Sequence, residues 1–443
     1  MKITLISPKG PLYKHKTGIF RKDLRASPLT LTTLAALVPK ELNAKIEIYD
    51  EGIEDLPPNL DSDLVGMTVI TGSAPRSYEL AKQFRSNGMK VVLGGPHVTL
   101  LPEEAMLHAD AVVTGYAEET WPELLRDFSI GKLKSRYDMS HSFSLERKEN
   151  LPFARRDLLR KNSYKTTYTF EATRGCVHNC EFCVVPTAWG RKPYQKPVSH
   201  IIDDIRQLGA KRLLFYDLNL IANRAYAKEL FTALIPLKVK WVGLATTLLG
   251  KDDELLELTA RSGCKGMLLG FESIFPDTLK LNNKSFNDPE QYAEIIKKLQ
   301  KVGIAINGTF VFGNDTDTKD SFDAVRDFVL TTGIDLPRFS ILTPFPRTPL
   351  FQRLEKENRI IERDWSKYDG QHVVFAPKQM TADELMRGHE KVWKDVYSYK
   401  GIFKRVLQNF MTPIFPIVVG ANIAYRYYAF NLSRFYTCRG GFI

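Results

Sequence analysis

The chain has 443 residues, 44% hydrophobic and 26% charged, which excludes an intrinsically disordered protein and supplies core for two to three domains. Five cysteines, three of them clustered, do not read as a secreted disulfide framework, and MKITLISPKG, whose apolar run ends at Pro8, does not read as a signal peptide. They place the chain in a reducing cytoplasm.

In chain order, KITLISP (2–8), AKIEIYDE (44–51), DLVGMTVI (63–70), KVVLGGPH (90–97) and DAVVTGYAE (110–118) read as strands, with helices at LTTLAALVPKEL (31–42) and APRSYELAKQFRSNG (74–88). This alternation predicts a parallel, doubly wound, Rossmann-like sheet over 1–130, with ligands beyond the carboxyl ends of its strands. Those ends carry Thr71, Gly72, Ser73, Gly94, Gly95, Pro96, His97 and Gly115, and the glycines suit close approach by a bulky ligand. Residues 131–163 are polar and irregular and read as a linker. A second series over 164–358 offers YTFEATRG, KRLLFYDLN, KWVGLATTL, KGMLLGFES, AINGTFVFG and RFSILTPFP as strands, with helical stretches between them. Six βα steps predict a partial (β/α)6 TIM-like barrel with its chemistry at the strand C-termini.

From 359 to 443 the sequence is mainly helical. The net charge is +11, and residues 391–443, with eight Lys or Arg against Asp395, carry about +7 of it. The run MTPIFPIVVGANIAYRYYAF nears the length of a membrane span, but Pro413, Pro416, Gly420, Asn422 and Arg426 interrupt it. A docked or interfacial helix pair is expected, with peripheral contact of 400–443 to the inner face of a membrane. No basic and stacking cluster accompanies the charge, so no nucleic-acid partner is expected.

The chemistry concentrates in EATRGCVHNCEFC (171–183), just past the first barrel strand. Cys176, Cys180 and Cys183 give three thiolates on one loop, enough for a [4Fe–4S] cluster that keeps one iron open. Zinc, with His178 as fourth ligand, is the alternative on spacing alone. Here the sequence resembles the radical S-adenosylmethionine (SAM) superfamily, whose hallmark is C-x3-C-x2-C after the first barrel strand. The resemblance implies that SAM chelates the open iron and is reductively cleaved to methionine and a 5′-deoxyadenosyl radical. It implies also a reductant protein such as flavodoxin or ferredoxin. By the same resemblance FYDLNLIANRAYAKEL nominates Asp217 and Asn219 for the methionine end of SAM, GFES nominates Glu272, and GTFVFGND nominates Gly308 and Gly313.

Residues 1–128 resemble the cobalamin-binding domains fused ahead of such barrels. The family's Gly-Glu-x-Glu reads Gly115-Tyr116-Ala117-Glu118 here, which leaves Glu118 as the matching acid. No D-x-H-x-x-G occurs, so no histidine ligand to cobalt is expected, and His97 is read as loop packing. The stretch 349–385 resembles the tail of members acting on tetrapyrrole, hopanoid and other lipid-like substrates. It nominates Arg347, Tyr368, Asp369 and His372 for substrate contact or catalysis, beside their readings as a solvated arginine and a turn. The resemblance implies a cobalamin-dependent radical SAM enzyme that methylates an unactivated carbon of a small-molecule or lipid-like substrate. The alternatives are a relative that forms a ring without methyl transfer, and a non-catalytic metal or redox-sensing protein.

Overall fold

A computed structural model describes residues 1–10, 26–140, 151–160, 162–407, 410 and 414–432. Pro413, and the end of the basic tail with its fifth cysteine, Cys438, lie outside the described residues.

The apolar runs of the first section form a parallel six-stranded sheet. Its strands are β1 (Lys2–Ser7), β2 (Lys45–Asp50), β3 (Leu64–Thr68), β4 (Lys90–Gly94), β5 (Ala111–Thr114) and β6 (Arg136–Asp138), in the order β2-β1-β3-β4-β5-β6. The order reverses at β1, and the crevice at such a switch point is where doubly wound sheets take ligands. Strand β3 reads Leu-Val-Gly-Met-Thr with four of five residues buried, because helices cover both faces. Strand β6 lies within the stretch expected to be a linker. It buries only Tyr137, too little apolar sequence to announce a strand.

The second sheet is also parallel. After β7 (Thr169–Phe170) comes a small antiparallel ribbon, β8 (Thr173–Arg174) with β9 (Tyr194–Gln195). Then β10 (Arg212–Phe215), β11 (Lys240–Ala245), β12 (Cys264–Glu272), β13 (Ala305–Phe312) and β14 (Arg338–Ile341) complete the order β7-β10-β11-β12-β13-β14. All six expected barrel strands are present, and β7 and β14 remain edges of an open barrel. Along β12 and β13 burial alternates. Met267, Leu269, Phe271, Ile306, Phe310 and Phe312 face the helices, whereas Leu268, Gly270, Asn307, Thr309 and Val311 are only partly buried. Closed barrels fill that inner face with side-chain layers; here part of it borders open space.

The C-terminal helices Ala382–Val396, Tyr399–Val406 and Phe415–Ala429 dock beside β14. Trp393 Nε1 and His389 Nε2 each donate to the Phe339 carbonyl at 3.0 Å. The buried Arg405 guanidinium donates to the carbonyls of Ile334, Asp335 and Val396 and to Asn422 Oδ1. Among the described residues no helix is long and apolar enough to cross a membrane. Asn422, which interrupts the apolar run, is one of the anchors of this packing.

This docking predicts a pH effect. Burial pushes the His389 imidazole down to about 4 from 6.5. A folded pKa below the unfolded one stabilises fully above pH 6.5, and that stability is lost as pH falls toward 4. The loss is about 3 kcal/mol across the window. Thermal unfolding of a His389→Gln variant should therefore change less between pH 7.5 and 4.5 than that of the wild type. Equal slopes would show that His389 does not govern the acid limb.

Candidate active site

The cysteine loop is built outward from β7. Asp217, fully buried, accepts the amides of Ala172 and Thr173, and burial pushes its carboxyl up to about 7. Its oxygens are committed to holding the chain that leads into the loop. Gly175 then turns with φ +85°, and a Cβ there would lie 2.9 Å from the Lys192 carbonyl oxygen. Beyond it, Asn219 Nδ2 donates to Cys176 Sγ at 3.8 Å, while Asn219 Oδ1 is buried without a partner. Glu181, inside the loop, pairs with Arg353 at 2.8 Å, and its carbonyl accepts the amide of Leu350. The helix Pro349–Lys356 thus pins the loop to the far end of the barrel.

Burial raises the thiols of Cys180 and Cys183, the latter to about 12; Glu272 and Cys176 raise Cys180 further, and Cys180 and Cys176 do the same to Cys183. Buried Lys284 opposes that rise at both. Lys284 also grips Glu272 at 2.5 Å, and Thr309 Oγ1 donates to the same carboxylate at 3.2 Å. Glu272 follows a bulge at the end of β12 with φ +62°. A Cβ on Gly270 would strike its Oε1 at 2.3 Å, so the glycine makes room for the pair. Gly308 instead faces the core, where a Cβ would meet the Phe271 ring at 3.1 Å; Gly313 donates its amide to Asp317.

The His178 ring stacks on Phe286 at 3.9 Å between centroids. Among the described residues no three His, Cys, Asp or Glu side chains meet closely enough to share one ion. A [4Fe–4S] cube sets each thiolate on its own iron, and three clustered thiols beside a buried cation suit that anionic group better than a zinc ion.

A cavity of about 1510 Å³ connects this end of the barrel to the first sheet. Ordinary small-molecule sites occupy roughly 300–1,000 Å³, so this one has room for a large cofactor with a second molecule. Its walls include Asp50, Thr68, Gly94, Gly95, Pro96, Gly115 and Glu118 from the strand ends of the first sheet. Glu171, Thr173 and Arg174, the residues that lead into the cysteine loop, close it from the barrel side. Gly95 runs at φ +103°, where a Cβ would come within 2.8 Å of the Val69 amide. Only glycine makes this turn, and with Gly94 and Gly115 it gives the cavity wall at those strand ends no side chains of its own, a low cradle that fits a corrin.

Other expected residues fall elsewhere. Thr71, Gly72 and Ser73 form a buried turn outside the lining. His97 is fully buried, with Nδ1 near Thr71 Oγ1 and Nε2 near Glu104, both at 3.3 Å. Asn219, Glu272, Gly308, Gly313 and the three cysteines do not line the cavity. Tyr368 donates to the Glu362 carbonyl at 2.7 Å, and Asp369 caps the amides of Gln371 and His372 and meets His372 Nδ1 at 3.0 Å. These three form a self-bonded turn, and Arg347 is exposed; none of the four lines the cavity.

One group escaped the sequence reading. The Arg174 guanidinium bridges Glu118 of the first sheet and Glu171 of the barrel and lies over the Tyr116 ring at 4.9 Å. Burial opposes ionisation of Glu171, but Arg174 and Lys196 outweigh it and hold the carboxyl below its usual range. Glu118 keeps one oxygen, Oε2, buried and unpartnered. The only hint in sequence is an arginine embedded in the short run before Gly175.

A cobalamin-type sheet facing an open barrel with a three-cysteine loop defines a class of two-domain redox enzymes. Residues 28–125 match the B12 binding domain and residues 170–329 the Radical SAM superfamily; residues 348–416 match a domain of unknown function, DUF4070. The bacteriochlorophyllide d C-12(1)-methyltransferase of Chlorobaculum tepidum is 35% identical over 86% of this chain and 84% of its own. The bacteriochlorophyllide d C-8(2)-methyltransferase of the same organism is 32% identical over 86% and 88%. In fold, the cobalamin-dependent SAM radical enzyme OxsB superposes with a TM-score of 0.68 at 15% identity, over 97% of this chain and 72% of that one. The chain belongs to the family of cobalamin-dependent radical SAM methyltransferases. It is an enzyme, its cofactors are a [4Fe–4S] cluster, SAM and cobalamin, and the non-catalytic alternative is set aside.

Proposed function

We propose that this enzyme methylates an unactivated carbon of a small, lipid-like substrate in the cavity between its two sheets. The observation that carries the reading is the continuity of that cavity from the strand ends of the first sheet to the residues entering the cysteine loop. When bound, the cluster and SAM would supply a 5′-deoxyadenosyl radical for hydrogen abstraction, and cobalamin the methyl group. Cys176, Cys180 and Cys183 would hold the cluster, with Asn219 and Glu272 toward SAM and Lys284 offsetting negative charge. Gly94, Gly95, Pro96, Gly115 and Glu118 would receive cobalamin; Asp217, Gly308 and Gly313 act through the backbone. A flavodoxin or ferredoxin would deliver the electron.

The test uses SAM with a labelled methyl, a reductant and bacteriochlorophyllide d, the compound named for both relatives. Label in the product supports methyl transfer. Product formed without label would instead favour ring formation.

We infer too that the C-terminal helices rest on a membrane surface. Among the described residues, eight of the fourteen exposed large hydrophobic side chains lie between Tyr399 and Phe430, including Phe403, Leu407, Ile417 and Ile423. A stripe of this kind, flanked by exposed Lys400 and Lys404, suits an anionic lipid interface. Full-length protein should float with anionic vesicles, and a Phe403→Glu/Ile423→Glu variant should not; equal recovery rejects the docking.

A further inference from the structure

We infer that the floor of the barrel binds the anionic end of the substrate, so that the carbon to be methylated lies at the substrate's opposite end. The inference rests on the function proposed above and adds to it a substrate class, an amphiphile carrying a carboxylate or phosphate.

The cavity does not stop at the strand C-termini. It continues down the lumen to the strand starts, where Lys211, Arg212, Lys240 and Lys265 line it. Arg212 and Lys240 are register partners on β10 and β11, and Lys265 is the second residue of the next strand, β12. None of the four pairs with a carboxylate among the described residues. The first sheet supplies an internal comparison. Its strand-start lysines are all matched, Lys2 and Lys45 with Glu47 and Lys90 with Asp110. Like charges on adjacent strands repel, and at the mouth of a low-dielectric cavity they focus a positive potential into it. Four unmatched cations there are a standing preference for an anion.

Above the floor the lining changes character. Leu214, Tyr216 and Val242 come next, and Val242 remains 37% exposed in mid-strand because nothing fills the lumen beside it. Asn307 also lines this section; its Nδ2 donates to Tyr425 Oη at 3.4 Å, while its Oδ1 is buried without a partner. A neutral polar group of a ligand would satisfy that oxygen. Tyr216 lies four positions beyond Arg212, just past the end of β10, roughly 13 Å of strand rise away. The lumen is thus graded from cationic at the floor to apolar and aromatic toward the cofactors. That gradient sorts an amphiphile head-down.

The test uses the reconstituted holoenzyme and fluorescence titration with protoporphyrin IX, which carries two carboxylates, and with its dimethyl ester, which carries none. The acid should bind about tenfold or more tightly than the ester. An Arg212→Glu/Lys240→Glu variant should lose that preference. Arg212→Lys should keep it, as should Lys297→Glu, a reversal on the exposed face of the helix Tyr292–Lys301. Displacement by dodecanoate against dodecyl phosphate then assigns the anion as carboxylate or phosphate. Equal affinity for acid and ester, absence of binding by either, or a preference intact in the double variant overturns the inference. Because binding is read without turnover, loss of methyl transfer with the preference retained would reject the function and leave the anion site standing.

Discussion

A Cys176→Ala variant will form 5′-deoxyadenosine only at background and, after anaerobic reconstitution, will hold fewer than about four irons per chain. Three thiolates are the whole protein ligand set in this reading, so removing one leaves two irons without protein ligands. Asn219→Ala should show a graded loss by comparison. Its side chain touches Cys176 Sγ at 3.8 Å and supports the ligand without being one. Outer partners of this kind typically cost about 10- to 100-fold when removed. Cys264→Ala is the matched control. This thiol is fully buried at the start of β12, remote from the loop, and its loss should lower stability while leaving iron content unchanged. Full iron and activity in Cys176→Ala would show that the cluster lies elsewhere.

Arg174→Ala should destabilise the enzyme by about 3–5 kcal/mol, because it strands two buried carboxylates that now share one guanidinium. Glu171 keeps Lys196 at 3.4 Å, but Glu118 has no other cation among the described residues. Adding Glu118→Gln to the variant should therefore recover part of the loss, and a double-mutant cycle on melting curves would measure it. The pair joins the cobalamin sheet to the residues entering the cysteine loop. Methyl transfer should accordingly fall further than SAM cleavage does. Additive losses in the cycle, or equal decline of both activities, would reduce Arg174 to a surface contact.

Other expectations changed for reasons that lie in the turns. Tyr368, Asp369 and His372 are open to two readings along the chain, substrate contact or catalysis and a structural turn. Folded, Asp369 spends its oxygens on the amides and imidazole of its own turn, which a short polar run tends to do. Thr71, Gly72 and Ser73 stand at a strand end, as expected. The short helical turn that follows β3 buries them, and the cavity is walled instead by Thr68 and Ile70. His97, by contrast, packs inward in line with its reading as loop packing, with its ring 5.6 Å from Trp365 at an edge.

What the sequence determined alone was everything carried by local period and spacing. Alternating βα runs imply parallel sheets because connection length and strand apolarity are local properties, and C-x3-C-x2-C places three thiols on one loop whatever surrounds it. The tertiary structure decided the pairings between distant residues and the faces they share. Glu118 meets Arg174 across 56 positions, Glu272 meets Thr309 across 37, and the unmatched cations of three strand starts come together only when the barrel forms. Charge compensation and cavity shape depend on which side chains face one another, and no stretch of sequence carries that by itself.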